Sequence, residues 1–294
     1  TILLTGATGF LGSHLLEALL DRGHKVIILK RSTSDCWRIS RLLDQVVSYD
    51  VDLQPLALPF EQQPIDMVIH TACHYGRNGS DLDEIVETNL MFGLRLLNLS
   101  LVYNTGTFIN TDTLLNKNLN VYSLSKGQFV EWLKQSSNNI RVINLKLEHM
   151  YGGKDDIAKL APWVLSQLKA DQSEIKLTKG EQERDFIYID DVVSAYLILL
   201  EQLSDLSGFN EFDVGTGQSI TVRCFIEELK KAYEVDFGMS DTKLSFGVIP
   251  YRKGETMIVE VNNQALIDLG WSVKTKLVDG LKKVVKQVNR NVGK

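Results

Sequence analysis

The feature that most narrows the possible folds stands at the start of the chain. Ile2-Leu3-Leu4 runs into Thr5-Gly6-Ala7-Thr8-Gly9-Phe10-Leu11-Gly12-Ser13-His14, and an amphipathic segment with Leu15, Leu16, Leu19 and Leu20 follows. An apolar strand, a turn with glycines at 6, 9 and 12, and a helix start read in direct succession. Backbone N–H groups at such a helix N-terminus hold a pyrophosphate only where no side chain blocks the approach. The stretch therefore predicts a dinucleotide site built on Gly6, Thr8, Gly9, Phe10, Leu11 and Gly12. The glycine spacing alone is a weak signal, and the strand before it and the helix after it supply the weight.

Beyond this turn, apolar β-branched runs alternate with helical patterns. Strands are predicted over residues 2–5, 25–29, 46–49, 66–72, 107–110 and 141–147, with helices over 13–22, 82–103 and 122–136. That rhythm predicts an α/β fold with a Rossmann-type doubly wound parallel sheet, helices covering both faces. Ligands of such sheets lie beyond the carboxyl ends of the strands. The pattern loosens after Gly152. Residues 185–200 read as a strand followed by a helix with Asp190 or Asp191 near its start, and 212–215 as a short strand. Helical patterns at 222–233, 263–269 and 278–288 complete a smaller α/β C-terminal substrate lobe. No proline or serine linker marks the join near residue 150, so the two lobes are expected to cross over.

Composition closes off several classes of function. With 44% hydrophobic and 23% charged residues and a net charge of −5, the chain has ordinary globular material and no footprint for a nucleic-acid backbone. Cys36, Cys73 and Cys224 form no CxxC pair, which argues against a disulfide framework or a zinc site and for a reducing, cytoplasmic setting. His70, His74 and His149 fit no ligand spacing, so no metal is expected. A first strand at residue 2 predicts no leader peptide. The longest apolar run, 192–200, falls short of the roughly 18 residues of a bilayer span, so no membrane partner is expected.

The second strand ends in Lys30-Arg31-Ser32, where dinucleotide folds often place a carboxylate for the adenosine ribose. A carboxylate would repel a 2′-phosphate, whereas this cluster pairs with one. The cofactor implied is NADP(H), in preference to NAD(H). Asp50 and Val51, after the third strand, fall beside the adenine, although Asp50 is equally suited to a plain turn.

Tyr122-Ser123-Leu124-Ser125-Lys126 is the catalytic candidate. Residues i and i+4 face the same way on a helix. A cation beside a phenol draws its pKa down from about 10 toward the working range. Tyr-x-x-x-Lys also occurs by chance in helices, and its place after a dinucleotide fold gives it meaning. Upstream, Thr111 in Thr111-Asp112-Thr113 offers a hydroxyl for the oxygen that Tyr122 protonates, while the same triplet also suits a turn. Arg184 and Arg252 carry guanidinium forks suited to a diphosphate, and either alone reads equally as a surface ion pair.

Taken together, the glycine turn, Val68-Ile69-His70-Thr71-Ala72, Asn89 in Glu87-Thr88-Asn89-Leu90, the Tyr122–Lys126 motif, residues 184–191 (RDFIYIDD) and residues 213–217 (DVGTG) resemble the extended short-chain dehydrogenase/reductases, over essentially the whole chain. Residues 70–77, 108–117, 145–153, 179–201 and 246–257 resemble a narrower group, the CDP-3,6-dideoxyhexose synthases. That resemblance implies NADPH-dependent reduction of the C4 keto group of CDP-4-keto-3,6-dideoxyglucose, a step toward O-antigen sugars. It implies catalytic roles for Thr111, Tyr122 and Lys126 and cofactor contacts from Ala72 and Lys126. It places Asp112, Thr113, Tyr75, Arg77, Glu148 and His149 at the sugar and Arg184 and Arg252 on the diphosphate. Many relatives carry asparagine where His149 stands. The resemblance also implies a nucleotide-binding domain of residues 1–150 to which 185–215 return, and a nucleotide-sugar lobe of 151–184 and 216–294. A homodimer is implied through the helices at 82–103 and 122–136.

Departures from the wider family sharpen the reading. Sugar dehydratases have Asp-Glu after the catalytic threonine, and here Thr113 replaces the glutamate that elimination needs. Epimerases keep NAD bound and usually carry an acidic residue where Lys30 stands. Two alternatives stay open: a 4-epimerase or epimerase/reductase on another nucleotide sugar, and a non-catalytic dinucleotide sensor. The face of C4 that is reduced, hence abequose or paratose, is not set by any motif.

Overall fold

A computed structural model describes residues 1–76, 79–252 and 254–290. Two compact units divide the chain: Thr1–Leu147 with Tyr196–Asp213, and Glu148–Ala195 with Val214–Lys294. In chain order the first stretch carries β1 (Ile2–Thr5), α1 (Phe10–Asp21), β2 (Val26–Lys30), β3 (Val47–Asp50), α2 (Leu58–Gln62) and β4 (Met67–His70). It continues with α3 (Leu82–Val86), a π-helical turn (Glu87–Met91), α4 (Phe92–Val102), β5 (Thr107–Thr113), α5 (Val121–Ser136) and β6 (Arg141–Leu147). Next come β7 (His149–Tyr151), α6 (Leu160–Lys169), β8 (Glu174–Leu177), β9 (Glu183–Arg184), β10 (Phe186–Tyr188) and α7 (Ile189–Glu201), whose Tyr196 begins the return to the first unit. The remainder is β11 (Phe209–Val214), β12 (Ile220–Thr221), α8 (Val222–Phe237), β13 (Lys243–Phe246), α9 (Gln264–Asp268) and α10 (Leu277–Arg290).

Among the described residues, seven strands form one sheet in the order β3-β2-β1-β4-β5-β6-β11. Pairings from β3 to β6 are parallel. The last strand runs the same way, because Val142 N–H donates to Gly208 O and Glu148 N–H to Val214 O, six residues on along both strands. Strands buried on both faces read as continuous apolar runs. Leu3 and Leu4, Ile27 and Ile28, Val68 and Ile69, and Ile109 and Phe108 all show no exposed surface. One face is filled by Leu96, Leu97, Phe129 and Leu133 from α4 and α5. The doubly wound α/β sheet expected from the sequence is what the chain forms, since parallel neighbours have to be joined by crossovers rather than hairpins.

β5 differs from its expected bounds. It continues through Thr111-Asp112-Thr113, pairing Thr113 with Leu147 of β6, so the triplet is strand rather than turn. The neighbouring strand supplies the ladder, and Lys117 meets the buried Asp112 carboxylate at 2.7 Å.

The helix Leu82–Val102 also differs. By length and composition it is long and apolar enough to cross a bilayer, with 33% of its most apolar window buried, a test that core helices of soluble proteins also pass. Counting uninterrupted apolar residues misses it, because Glu87, Asn89 and Arg95 break the run while the helix continues through them. Glu87 pairs with Arg95, and Asn89 is fully buried.

The second unit is built from short pairs of strands: β7 with β10, β9 with β12, and β8 with β13. Phe186 stacks on Phe225 at 3.8 Å between ring centroids, and Tyr151 meets Tyr188 edge-on. Two buried carboxylates tie its loops. Asp185 accepts from the Thr216 and Gly217 N–H groups, and Asp191 from those of Lys274 and Thr275.

Candidate active site

The glycine turn is a cradle with no room for side chains. Gly6 sits at φ +69°, where a Cβ would lie 2.6 Å from Thr71 Oγ1 and 2.8 Å from the Ala72 nitrogen. A Cβ on Gly12 would stand 2.1 Å from the Gly6 carbonyl oxygen. Gly9 N–H closes the turn onto Gly6 O at 2.9 Å, and Ser13 N–H starts α1 on Gly9 O at 3.0 Å. First-turn N–H groups of a helix lack intrahelical acceptors. No acidic side chain stands in the first turn of α1 to compete for them. Leu11 is buried beneath the turn, and Phe10 packs edge-on against His14. Ala72 N–H donates to Thr5 Oγ1 at 3.2 Å, which anchors the neighbouring loop. These residues fit a pyrophosphate, whose oxygens need donors at a site stripped of Cβ atoms.

At the end of β2 the basic cluster is not alone. Lys30 Nζ lies 3.7 Å from Asp50 Oδ2, and the Ser32 hydroxyl donates to the same oxygen at 2.8 Å. Ser32 N–H donates to Asp52 Oδ2, while Arg31 is exposed. Desolvation pushes the Asp50 carboxyl up, but the Ser32 hydroxyl, the Asp52 N–H and the Lys30 ammonium together hold it below the ordinary carboxylate range. Val51 N–H closes the strand end on Lys30 O. Arg38, which the sequence reading passed over, reaches the Thr8 carbonyl at 3.4 Å and lies over Trp37. Its only sequence signal is membership of the basic stretch after β2.

Tyr122 is placed by a capping box at the start of α5. Ser123 N–H donates to Asn120 Oδ1 at 2.9 Å, and Asn120 N–H returns to Ser123 Oγ at 3.3 Å. One turn on, Lys126 is fully buried and donates to the Thr111 carbonyl oxygen at 2.7 Å. The Thr111 hydroxyl pairs with the Tyr196 hydroxyl at 2.7 Å. Tyr196, fully buried on α7, was not visible as a site residue in the apolar segment 192–200. Asp112 is held by Lys117 at 2.7 and 2.8 Å. Thr113 Oγ1 accepts from Leu115 N–H at 3.2 Å, and its carbonyl accepts from Lys117 Nζ at 2.8 Å. The Tyr75 ring packs on Tyr122 with centroids 5.1 Å apart. Asn89, in the π-helical turn, fixes the Tyr75 loop through His74 N–H and O, and donates to Ser125 Oγ. π-helical turns are frequent at functional sites.

Electrostatics here differ from the sequence expectation. Burial pushes the Tyr122 phenol well above its usual value, Cys73, Tyr75 and Asp112 push the same way, and the Thr113 hydroxyl pulls it back. Lys126 is not among the groups that lower it. Burial pushes the Lys126 ammonium down, opposed by Cys73 and Asp112.

The second unit carries the remaining candidates. Arg184 is buried and bonds Glu255 Oε1 and the Glu183 carbonyl, both at 2.6 Å. Arg252 is exposed, and its carbonyl accepts from Glu255 N–H. His149 is half exposed, with Nδ1 3.0 Å from the buried Glu148 carboxylate. Arg77 lies outside the described residues. Thus Tyr75, Thr111, Asp112, Thr113, Tyr122 and Lys126 gather in the first unit, while Glu148 with His149, and Arg184 with Arg252, gather in the second. Among the described residues no cluster of three His, Cys, Asp or Glu side chains is placed to hold a metal ion.

Residues 2–215 match the NAD dependent epimerase/dehydratase family. The chain belongs to this family, among the extended short-chain dehydrogenase/reductases. Over 97% of its length it is 35% identical to a CDP-abequose synthase of Salmonella muenchen, covering 96% of that protein. A CDP-abequose synthase of Salmonella typhimurium is 33% identical, with 98% of each chain covered. In fold it is similar to a UDP-glucose 4-epimerase of Thermotoga maritima, solved with UDP-glucose, at a TM-score of 0.87, 23% identity and 99% coverage of both chains.

Proposed function

We propose that this enzyme is a nucleotide-sugar 4-ketoreductase that uses NADPH, and that its substrate is CDP-4-keto-3,6-dideoxyglucose. The product is CDP-abequose or its C4 epimer CDP-paratose. One observation carries the reading: a phenol and an ammonium one helical turn apart, with Lys126 bonded to the β5 backbone at 2.7 Å. The two full-length relatives called CDP-abequose synthase support the choice of substrate.

The first unit takes the dinucleotide and the second the nucleotide sugar. The cradle Gly6–Gly12 receives the pyrophosphate, Lys30, Arg31 and Ser32 the 2′-phosphate, and Asp50, Val51 and Ala72 border the nucleoside. The reduced dinucleotide, when bound, supplies the hydride. Tyr122 gives its phenolic proton to the sugar O4, and a raised pKa keeps that proton on the phenol at neutral pH. Thr111 fixes Lys126 through its carbonyl, so the cation stays beside the phenolate that forms. Arg184 and Arg252 hold the diphosphate, and Glu148 and His149 border the sugar. Holding both reactants in register contributes about 7–11 kcal/mol to barrier lowering.

The chain works as a homodimer through Leu82–Val102 and α5, which leave Leu82, Val102, Leu124 and Trp132 exposed at 62%, 63%, 44% and 55%. Offering CDP-4-keto-3,6-dideoxyglucose with NADPH or NADH, then reading C4 stereochemistry by NMR, tests the assignment. Turnover of a dTDP-keto-sugar alone would move it to another branch of the family. Stoichiometric NAD retained through purification would favour a 4-epimerase.

A further inference from the structure

We infer that Lys117 is a positioning residue that locks the end of β5 to the start of α5, and that Asp112 is its anchor and not a ligand of the sugar. The inference rests on the reductase reading for the chemistry being positioned, while the lock itself stands on geometry. Lys117 lies in the connection 114–120 between β5 and α5. It makes three attachments, and each falls next to a residue of the candidate active site. Its ammonium meets both oxygens of the Asp112 carboxylate, at 2.7 and 2.8 Å, one residue after Thr111, and also donates to the Thr113 carbonyl at 2.8 Å. Its own carbonyl oxygen accepts from the Ser123 hydroxyl at 3.4 Å, one residue after Tyr122. Its stem lies against Gly127, one residue after Lys126, where a Cβ would stand 3.0 Å from Lys117 Cγ and 3.1 Å from Cδ.

The Asp112 side chain is only 1% exposed, and a buried carboxylate without a cation is strongly destabilising. Lys117 is that cation, and Asn144 Nδ2 adds a longer contact at 3.4 Å. With both oxygens engaged and solvent excluded, Asp112 serves the lock and is not open to a sugar hydroxyl. Gly127 fits the same account. Glycine in a helix interior is a poorer helix former than alanine. The backbone at Gly127 is not left-handed, so what glycine provides there is the space that the Lys117 stem fills. The capping box of Asn120 and Ser123 sets where α5 begins, and Lys117 sets where that beginning sits on β5. Rate depends steeply on such placement, since a misplacement of about 1 Å costs roughly a hundredfold.

Hydrogen–deuterium exchange reads the lock without turnover. In Lys117→Met, which keeps the stem and removes the ammonium, amides of residues 114–127 should exchange roughly tenfold faster while those of α1 keep their protection. In the reductase assay kcat should fall by roughly ten- to a hundredfold, with KM for NADPH little changed. Lys117→Arg, which keeps the cation, should lie between Lys117→Met and wild type. Asp112→Asn combined with Lys117→Met removes the unpaired charge and serves as the test if Lys117→Met fails to fold. This double variant should fold and still show the slow kcat. Exchange over 114–127 that does not change, or that rises equally in α1, overturns the inference. So does a double variant with the wild-type kcat, or an Asp112→Asn variant whose sugar KM rises while kcat holds, which would put the carboxylate at the substrate. Wild-type protein that reduces no keto-sugar would end the reductase reading and leave the exchange result to decide the lock.

Discussion

The Lys126 ammonium donates to the Thr111 carbonyl oxygen of β5 at 2.7 Å, and both residues are buried. The cation is thus tethered to backbone, and Tyr122 keeps a phenol pKa raised by burial. Reduction requires the protonated phenol, so rate is lost only as pH rises through that raised value. The expected kcat profile is flat from pH 7 to about pH 9, since even an unperturbed phenol titrates near about 10. Steady-state rates across that range check it. A fall beginning near neutrality would mean that bound ligands draw the phenol down far more than the protein does.

Cofactor choice tests the end of β2. Replacing Lys30 and Arg31 together by alanine removes the cationic partners proposed for a 2′-phosphate. Charge-assisted hydrogen bonds of about 1.5–3 kcal/mol correspond to roughly a tenfold to hundredfold loss. KM for NADPH should rise by that factor while KM for NADH stays within about threefold, measured side by side. Asp50 and Asp52, bonded to Ser32, are the groups such a phosphate must displace or share with.

The turn 6–12 was legible because everything that defines it is local: strand, glycines and helix start lie within fourteen residues of sequence. The placement of Tyr122 and Lys126 one turn apart on a single helix was legible for the same reason. The extent of β5 was not, because Thr111-Asp112-Thr113 are turn-forming residues that only pairing with β6 and the Lys117 ion pair make tolerable in a strand. Tyr196 was hidden within an apolar helix, where nothing distinguishes a phenol that meets Thr111 from one that merely fills space. The short strands β8, β9, β12 and β13 were missed because partners such as Glu174 and Lys243 are far apart in sequence.

Acid sensitivity should trace to His70. It is fully buried among Phe92, Phe108 and Phe129, with Nδ1 2.8 Å from Thr5 Oγ1. Burial, with Lys126 adding to it, holds its pKa down to about 3. In the unfolded chain the imidazole takes its proton near about 6.5, so below that pH the unfolded state binds more protons and stability falls as pH drops. This one group should contribute up to about 1.4 kcal/mol per pH unit between pH 6 and 4. Urea unfolding of wild type and His70→Gln across that range should show the steeper slope in wild type.

Assembly should depend on Trp132, 55% exposed on α5. If the proposed dimer forms, Trp132→Glu should convert it to monomer in sedimentation analysis while leaving the far-ultraviolet circular dichroism unchanged. A wild-type protein that sediments as a monomer at micromolar concentration would remove the dimer from the account.

Tyr122→Phe removes the proposed proton and little else, since the ring still packs on Tyr75 at 5.1 Å. The decisive measurement is single-turnover reduction of CDP-4-keto-3,6-dideoxyglucose by NADPH, followed by loss of dihydronicotinamide absorbance, in wild type and in this variant. The expected result is at least a thousandfold slower reduction, within the range that general acid catalysis and fixed positioning supply (about 10²–10⁴ for the acid alone), with NADPH affinity unchanged. Reduction at the wild-type rate in Tyr122→Phe would contradict the account.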